Sequence, residues 1–156
     1  MRNALTVDVE DYFHVAAFSQ QIDPANWDQF PLRVERNTHR LLDLFAEREV
    51  RATFFVLGWV AERCPSLVRA IAGRGHEVAC HGYSHQLIYG QTPAVFRAET
   101  VRAKACLEDQ AQRAELGEAR LSWLLRDFQF APAGEVLGGL VVPAVSADGA
   151  FYSAPI

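Results

Sequence analysis

The feature that most constrains the fold is a regular alternation of strand-like and helix-like segments over the first 110 residues. Short apolar segments cover residues 4–9, 52–57 and 76–81, and helical segments begin near residues 34, 65 and 92. This order is typical of parallel βα units, in which each helix returns the chain to the start of the next strand. The sequence therefore predicts an α/β fold that is a barrel or part of one.

Each predicted element has its own local signal. Residues 4–9 alternate apolar and polar positions, whereas residues 52–57 form a dense apolar run, as in a strand covered on both faces. Pro65 and Pro93 stand where a first helical turn begins, and Gly73 and Gly75 are typical helix ends. Residues 12–33 are too long for an ordinary connector, so the sequence predicts a functional loop there.

Composition excludes several classes of protein. Of 156 residues, 50% are hydrophobic and 22% are charged, with a net charge of −4, so the chain has no electrostatic signature for nucleic acid. No apolar run reaches the roughly 18 residues that a membrane span needs, and the N-terminus lacks a signal-peptide core. Cys64, Cys80 and Cys106 show no paired spacing, which predicts reduced, buried thiols in a cytoplasmic protein.

Two histidines follow the third predicted strand directly. His81 and His85 have the i, i+4 spacing with which two imidazoles can bind one metal ion from the same side of a turn. Gly82 and Ser84 supply the small residues that a tight turn requires. The alternative is a surface loop whose histidines only form hydrogen bonds, because this spacing alone is a weak signal.

Three carboxylates lie at the end of the first predicted strand, and parallel strands bring their carboxyl ends to one edge of a sheet. Among Asp8, Glu10 and Asp11, one can complete a metal site with the histidines while another accepts a proton from water. Mutual repulsion makes a purely solvated acidic strand end, the alternative interpretation, less favourable without a nearby cation or hydrogen bonds.

These segments resemble one known family. Residues 5–13 read LTVDVEDYF and residues 79–89 read ACHGYSHQLIY. In this order they resemble the polysaccharide deacetylase (chitooligosaccharide deacetylase homology) family, most closely the branch that accompanies exosortase/PEP-CTERM exopolysaccharide gene clusters. The resemblance covers about residues 3–110. It implies the N-terminal portion of a deformed (β/α) barrel, incomplete in this chain, and a hydrolase that removes acetyl groups from a polysaccharide.

The resemblance also implies roles for individual residues. Asp8 matches the general base, and His81 and His85 match ligands of a divalent metal ion, with zinc expected. Glu10 matches the carboxylate ligand, with Asp11 as the alternative. The metal would polarise the acetyl carbonyl and activate water, and Asp8 would take the proton.

The second part of the chain departs from the family pattern. Residues 111–122 are polar and helix-compatible, and Arg126 is the candidate for the arginine that orients the catalytic aspartate. We therefore expect a deacetylase-like domain over residues 1–110 and a diverged or truncated continuation over 111–156. The family's acid histidine has no match, since His14, His39 and His76 lie in other contexts.

The expected partner is a polysaccharide or oligosaccharide, with Tyr12, Trp27 and Tyr83 as candidate substrate-binding residues, although aromatic residues of such a loop are often core. Truncation is the favoured explanation of the incomplete barrel, and a reduced domain completed by a partner chain is the alternative. Two other functions stay open at this stage: an inactive remnant that binds metal or carbohydrate, and a cyclic amidase of the same superfamily.

Overall fold

The fold is built on one parallel sheet whose strand order follows the chain order. The computed structural model describes residues 5–112 and 121–122. Its four strands are β1 (Thr6–Val9), β2 (Thr53–Val56), β3 (Glu77–Cys80) and β4 (Leu121–Ser122), in the order β1-β2-β3-β4. All three strand pairs are parallel. The predicted α/β fold with a parallel sheet is confirmed.

The register of the sheet aligns the strand ends that carry polar residues. Val9 pairs with Val56, which in turn pairs with Cys80, and these are the last residues of β1, β2 and β3. The next residue of β1 is Glu10 and the next residue of β3 is His81, so both leave the sheet at the same edge.

Within the described ranges, four α-helices accompany the strands. They are α1 (Val34–Glu47), α2 (Gly58–Arg63), α3 (Pro65–Gly73) and α4 (Pro93–Gln112). The predicted long loop contains three 3-10 turns, at Tyr12–His14, Ala16–Phe18 and Pro24–Gln29, and a fourth such turn spans Ile88–Gly90. The predicted starts at residues 34, 65 and 93 agree with the structure because prolines and an amphipathic stripe are local signals.

Two elements differ from expectation. Helix α2 was not predicted, since its six residues are too few to show a helical period. Residues 121–122 were described as helix-compatible, but they form β4, which pairs with Val78 and Ala79 of β3. That expectation is wrong at these two residues because pairing with a neighbouring strand outweighs local propensity.

The core lies between the sheet and the helices. The two inner strands β2 and β3 are almost wholly buried, as the apolar runs predicted, whereas β1 is buried only at Val9. The helices contribute fully buried side chains to the same hydrophobic core as the strands. These are Leu42 of α1, Leu67 and Ile71 of α3, and Leu107 of α4. Apolar burial at about 25 cal/mol per Å² is the main stabilising contribution to such a layer.

The three cysteines are free thiols, as predicted. Cys64 and Cys80 are buried and Cys106 is half-buried. Burial raises the pKa of the Cys80 thiol to about 11, so this group is a packing residue at neutral pH. Among the described residues, no helix combines the length and apolarity that crossing a membrane requires.

Candidate metal centre

Three predicted site residues meet at the carboxyl edge of the sheet. The Glu10 Oε2 atom lies 3.5 Å from Nε2 of His85 and 4.0 Å from Nε2 of His81. One ligand atom from each of the three side chains falls within 4.8 Å of the other two. The His81 side chain is 1% exposed and that of Glu10 is 15% exposed, so the group is largely shielded from solvent.

The donor set suits a divalent transition metal. Two imidazole nitrogens and one carboxylate oxygen form the facial arrangement that leaves further coordination positions open. Ligand atoms at about 2.1 Å from one ion lie at most roughly 4.2 Å apart, so the two glutamate–histidine distances already satisfy this limit. The Glu10, His81 and His85 group can therefore hold such an ion.

Main-chain contacts from α2 hold the histidine turn. The Gly58 amide donates to the carbonyl of Gly82 at 2.8 Å, and the Trp59 amide donates to the carbonyl of Tyr83 at 3.1 Å. Gly82 has a φ of +77°, which glycine adopts without strain. Because these bonds fix the backbone between the two histidines, the turn presents both rings to the same point.

His85 itself adopts an unusual backbone conformation. Its φ is +54°, in the left-handed region that residues with a Cβ seldom occupy. Ser84, the residue before it, is anchored through its amide and its hydroxyl, both of which donate to the Glu99 carboxylate of α4. The surrounding contacts thus impose a costly conformation at a candidate ligand, as is common at functional sites.

Tyr83 lies inside the turn rather than on an exposed binding surface. Its ring is 6% exposed, its hydroxyl donates to Glu62, and the Arg102 guanidinium lies 3.7 Å from the ring centroid. Burial, reinforced by the Glu62 carboxylate, raises the pKa of Tyr83 to about 12. The ring also lines a small cavity next to His81. These contacts give Tyr83 a role in shaping the turn.

Asp11 lies outside the Glu10, His81 and His85 group and contacts a different element. Its Oδ2 atom accepts hydrogen bonds from the amides of Arg33 at 2.8 Å and Val34 at 2.9 Å. These amides begin α1, where backbone donors lack helical partners and a negative charge is stabilising. The carboxylate is 5% exposed. Asp11 therefore fixes the start of α1 next to the end of β1.

Asp8 lies on β1 beside Phe55, two positions before Glu10, and is half-buried. Residues two apart in a strand share a face, so Asp8 lies on the side of the strand from which Glu10 continues. Arg126 lies outside the described residues.

The aromatic residues of the long loop divide into exposed and buried members. Tyr12 is exposed, with the Arg33 guanidinium 4.3 Å from its ring centroid and the rings of Phe13, Phe18 and Phe30 around it. Trp27 is 4% exposed and its ring packs edge-on against Trp59. Of the two candidate substrate-binding residues of this loop, Tyr12 is exposed and Trp27 is buried.

His14 is the residue whose setting sequence reasoning missed. It is buried, its Nδ1 atom accepts a hydrogen bond from the Asp11 amide at 2.8 Å, and burial lowers its pKa to about 4. Its ring lines a cavity of about 240 Å³ together with Trp27 and His85. This cavity, between residues 13–27 and residues 84–90, is called the β1-loop cavity below. The spacing of Asp11 and His14, three residues apart at the start of a turn, is the only sequence signal for this pair.

Comparison with known proteins identifies the family. The model of the family described as polysaccharide deacetylase matches residues 25–116, more than half of the chain. The chain belongs to the polysaccharide deacetylase family. The matched region contains both histidines and begins after the acidic segment of β1.

Two curated relatives illustrate the extent of the similarity. A peptidoglycan-N-acetylglucosamine deacetylase of Bacillus cereus is 31% identical over 100 residues, which are 64% of this chain and 32% of the relative. A chitooligosaccharide deacetylase of Sinorhizobium fredii is 48% identical over 48 residues, which are 31% of this chain and 22% of the relative. The chain thus spans a third or less of these relatives.

Solved structures agree with the fold. A family 4 carbohydrate esterase from Streptomyces lividans, in complex with acetate, has a TM-score of 0.52 at 26% identity, covering 75% of this chain and 46% of that one. A peptidoglycan N-acetylglucosamine deacetylase bound to a naphthalenyl N-oxidanyl-benzamide has a TM-score of 0.53 at 28% identity, covering 69% and 40%. The expected deacetylase type of α/β fold is confirmed, and the chain spans less than half of it.

Proposed function

We propose that this chain carries the N-terminal part of a metal-dependent hydrolase that removes acetyl groups from the amino sugars of a polysaccharide. The observation that carries the proposal is the meeting of Glu10 with His81 and His85 at one edge of the sheet. Membership of the family and the names of the relatives, which act on peptidoglycan N-acetylglucosamine and chitooligosaccharide, support the substrate class.

In the proposed site, Glu10, His81 and His85 hold a divalent ion, with zinc the ion most compatible with two imidazoles and a carboxylate. Bound there, the ion would supply Lewis acidity toward the acetyl carbonyl. Asp8, which lies on the same strand as Glu10, would take a proton from the attacking water. Arg126 is proposed to orient the Asp8 carboxylate.

The amide bond breaks between the acetyl carbon and the sugar nitrogen, so the products are acetate and a free amine. A proton must reach the departing nitrogen, and the described residues offer no second acid in the family's context. Tyr12 is the proposed sugar contact, because it is the exposed one of the three aromatic candidates, whereas Trp27 and Tyr83 are buried and line cavities. Asp11 is the alternative carboxylate ligand of the proposal.

The acidic segment supports a finer assignment. In the segment Asp8-Val9-Glu10, one residue separates two carboxylates. Because of this pattern, we propose that the chain belongs to the exosortase-associated exopolysaccharide branch. We also propose that residues 1–110 form the deacetylase-like unit and that residues 111–156 continue it. We further propose a partner chain that completes the barrel.

The test is zinc affinity and acetate release, measured on the purified chain and on a His81→Ala/His85→Ala double variant. We expect about one zinc per chain in the parent and none in the variant, with acetate released from N-acetylated chitooligosaccharides only by the zinc-loaded parent. His39→Ala, a half-buried histidine of α1, is the matched control and should behave as the parent.

The outcomes separate the candidates. Zinc and oligosaccharide binding with no acetate release would favour a binding remnant, a second candidate suggested by the partial coverage of the solved relatives. A folded parent that binds no zinc would refute the proposal as a whole.

A further inference from the structure

We propose that Glu99 of α4 is a positioning residue, whose contact with Ser84 holds the backbone of His85 in its left-handed conformation and so directs the His85 ring to the proposed metal site. This inference rests on the proposed function for the role of His85 as a ligand, but it concerns a residue outside the metal group. A side chain of α4 would thus set the metal affinity of ligands that follow β1 and β3.

The first argument is the contact itself. The Oε2 atom of Glu99 accepts a hydrogen bond from the Ser84 amide at 3.1 Å and a second one from the Ser84 hydroxyl. A carboxylate acceptor makes these bonds charge-assisted, and such bonds are stronger than bonds between neutral groups. Because one of the two donors is a backbone amide, Glu99 restrains the main chain immediately before His85 as well as a side chain.

The second argument is the conformation that has to be held. The φ of His85 is +54°, and an L residue stays in this region only where its surroundings impose it. The φ angle also sets the direction of the Cα–Cβ bond relative to the chain. A return to negative φ would therefore turn the His85 ring away from Glu10, whose Oε2 atom lies 3.5 Å from Nε2 of His85.

The third argument is that packing does not confine this part of the turn on every side. Ser84, His85 and Gln86 all line the β1-loop cavity, whose volume is about 240 Å³. Protein interiors contain few voids larger than a water molecule, so a turn beside such a cavity has room to shift. Hydrogen bonds must therefore supply the restraint that side-chain packing does not.

The fourth argument is the position of the neighbouring hydrogen bonds. Amides of α2 bind the carbonyls of Gly82 and Tyr83, which precede the residue that Glu99 contacts. Beyond the second histidine, Nε2 of Gln91 donates to the Gln86 carbonyl at 3.0 Å. Glu99 supplies the restraint between these two points, directly before the residue with the unusual conformation.

The fifth argument is the firmness of the helix that carries Glu99. Ala103 and Leu107 fix α4 in the core, since both are fully buried. Arg102 lies three residues after Glu99 and therefore on the same face of the helix, and its guanidinium lies 3.7 Å from the ring centroid of Tyr83. The face of α4 that carries Glu99 thus contacts the histidine turn twice, from a well-packed base.

These contacts make the role of Glu99 an indirect one. Its side chain lines the same small cavity as both histidines. The metal group found among the described residues nevertheless consists of Glu10, His81 and His85. The Oε2 atom of Glu99 is already bonded to Ser84, so the carboxylate acts through the turn.

The first measurement is zinc affinity, obtained on the full chain by competition with a chromophoric chelator. Glu99→Ala removes the acceptor, and we expect zinc affinity to fall about tenfold, as is typical of outer-shell changes. Glu99→Gln keeps an oxygen that can accept from Ser84 and should restore the affinity to within about threefold of the parent. Glu108→Ala is the matched control, because it removes another glutamate of α4, one that pairs with Lys104, and should bind zinc as the parent does.

Unchanged zinc affinity in a folded Glu99→Ala chain would overturn the inference. Should that variant prove unfolded in urea titrations, Ser84→Ala takes its place, since it removes the hydroxyl donor and keeps the amide. We expect Ser84→Ala to bind zinc about threefold to fivefold more weakly than the parent. Unchanged affinity in this variant would then overturn the inference in the same way.

The second measurement separates positioning from a general loosening of the fold. With cobalt(II) in place of zinc and at saturation, the visible spectrum reports the number and geometry of the ligands. We expect Glu99→Ala to change this spectrum and Glu99→Gln to retain it. Arg102→Ala removes the other contact of α4 with the turn but leaves Ser84 untouched, so it should retain the parent spectrum. A parent spectrum in Glu99→Ala would reduce Glu99 to a structural residue and overturn the inference.

The third measurement needs no metal, so it distinguishes failure of this inference from failure of the proposed function. It is the hydrogen-exchange rate of the Ser84 amide, followed by NMR with chelator present. We expect at least about tenfold faster exchange in Glu99→Ala, with the Trp59 amide, bonded to the Tyr83 carbonyl, as the unchanged reference. Equal exchange of Ser84 in both chains would overturn the inference. A folded parent that binds no zinc but shows this dependence would refute the metal site and retain Glu99 as the residue that holds the turn.

Discussion

The segments that follow β1 and β3 both bring polar side chains to the same edge of the sheet, but different forces hold them. After β1, the Asp11 side chain does the anchoring, through two backbone amides at the start of α1. After β3, the backbone is the anchor, because the carbonyls of Gly82 and Tyr83 accept hydrogen bonds from the amides of Gly58 and Trp59. The histidine turn is thus held by its backbone, whereas one of the three carboxylates is itself a structural anchor.

This difference shows how a dense acidic cluster can be stable. Three carboxylates within four residues repel one another unless something compensates each charge. The N-terminal end of α1 compensates Asp11, and the two histidines face Glu10. Two of the three carboxylates, those of Asp11 and Glu10, therefore face different partners, so neighbouring residues in sequence have different surroundings.

The largest expected effect comes from removing the carboxylate of the proposed metal site. Glu10→Gln keeps the size of the side chain and loses its charge, so we expect zinc affinity to fall by at least about 100-fold, since even outer-shell changes cost 10–100-fold. Asp11→Asn, the matched control, should change zinc affinity less than about threefold. Competition titration with a chromophoric chelator measures both. The reverse order of effects would assign the ligand role to Asp11.

Next comes the backbone anchor of the histidine turn. A Cβ added at Gly58 would lie 2.7 Å from a ring carbon of Tyr83 and 2.9 Å from the Cα of Ala103. Overpacking of this kind costs about 1–3 kcal/mol, and we expect Gly58→Ala to lose close to 3 kcal/mol of unfolding free energy in urea titrations. Gly73→Ala has nothing within 4 Å of its Cβ and should not be destabilised. Equal stability of the two variants would contradict the close packing of Gly58 against Tyr83 and Ala103.

Removal of the side-chain anchor should have a smaller effect. Asp11→Ala leaves the first two amides of α1 without their acceptor, which should lower the unfolding free energy by about 2 kcal/mol. Asp11→Asn keeps an acceptor oxygen and should lose about half as much, because the charge at the helix start is gone. Urea unfolding monitored by circular dichroism gives both values. An Ala variant as stable as the parent would remove Asp11 from this role.

The smallest expected effect is a change in the pH dependence of stability. It concerns His76, a histidine next to β3 that has a structural role. His76 is buried before β3, and its Nδ1 atom accepts from the Ala52 amide at 3.2 Å. Burial, with Arg51 and Arg74 nearby, lowers the pKa of His76 below its usual value. The unfolded chain binds a proton near pH 6.5 that the folded chain resists, so stability falls as the pH drops through that value.

His76→Asn keeps an acceptor for the Ala52 amide and cannot titrate. We therefore expect the variant to lose less stability than the parent between pH 7.5 and pH 5 in urea titrations. His39→Asn, which changes a half-buried histidine of α1, is the comparison variant. Identical pH dependence in the parent and in His76→Asn would show that this histidine does not contribute.

The sequence predicted the elements whose signals are local. Pro65 and Pro93 begin helices because proline lacks the amide that the first helical turn leaves unused. Helix α2 depends instead on its packing: Gly58 and Trp59 donate to the histidine turn, which sequence does not show. The same holds for Leu121–Ser122, whose strand conformation follows from β3.

For the candidate site too, the sequence predicted only those contacts that depend on one short segment. The i, i+4 spacing of His81 and His85 is visible in one segment, so their proximity was expected. Whether Glu10 or Asp11 joins them depends on Arg33 and Val34, which are distant in the chain and contact one carboxylate only. Burial of Trp27 and Tyr83 depends on tertiary packing in the same way.

The strand order β1-β2-β3-β4 has a consequence for how the chain emerges from the ribosome. Each strand pairs with the one synthesised just before it, so every βα unit can dock on its predecessor during translation, without waiting for a distant partner. Glu10 is delivered first, but it meets His81 and His85 only after β3 has docked on β2. The proposed metal site is therefore complete only after the third unit has docked, and we expect stalled chains that end before residue 81 to retain no zinc.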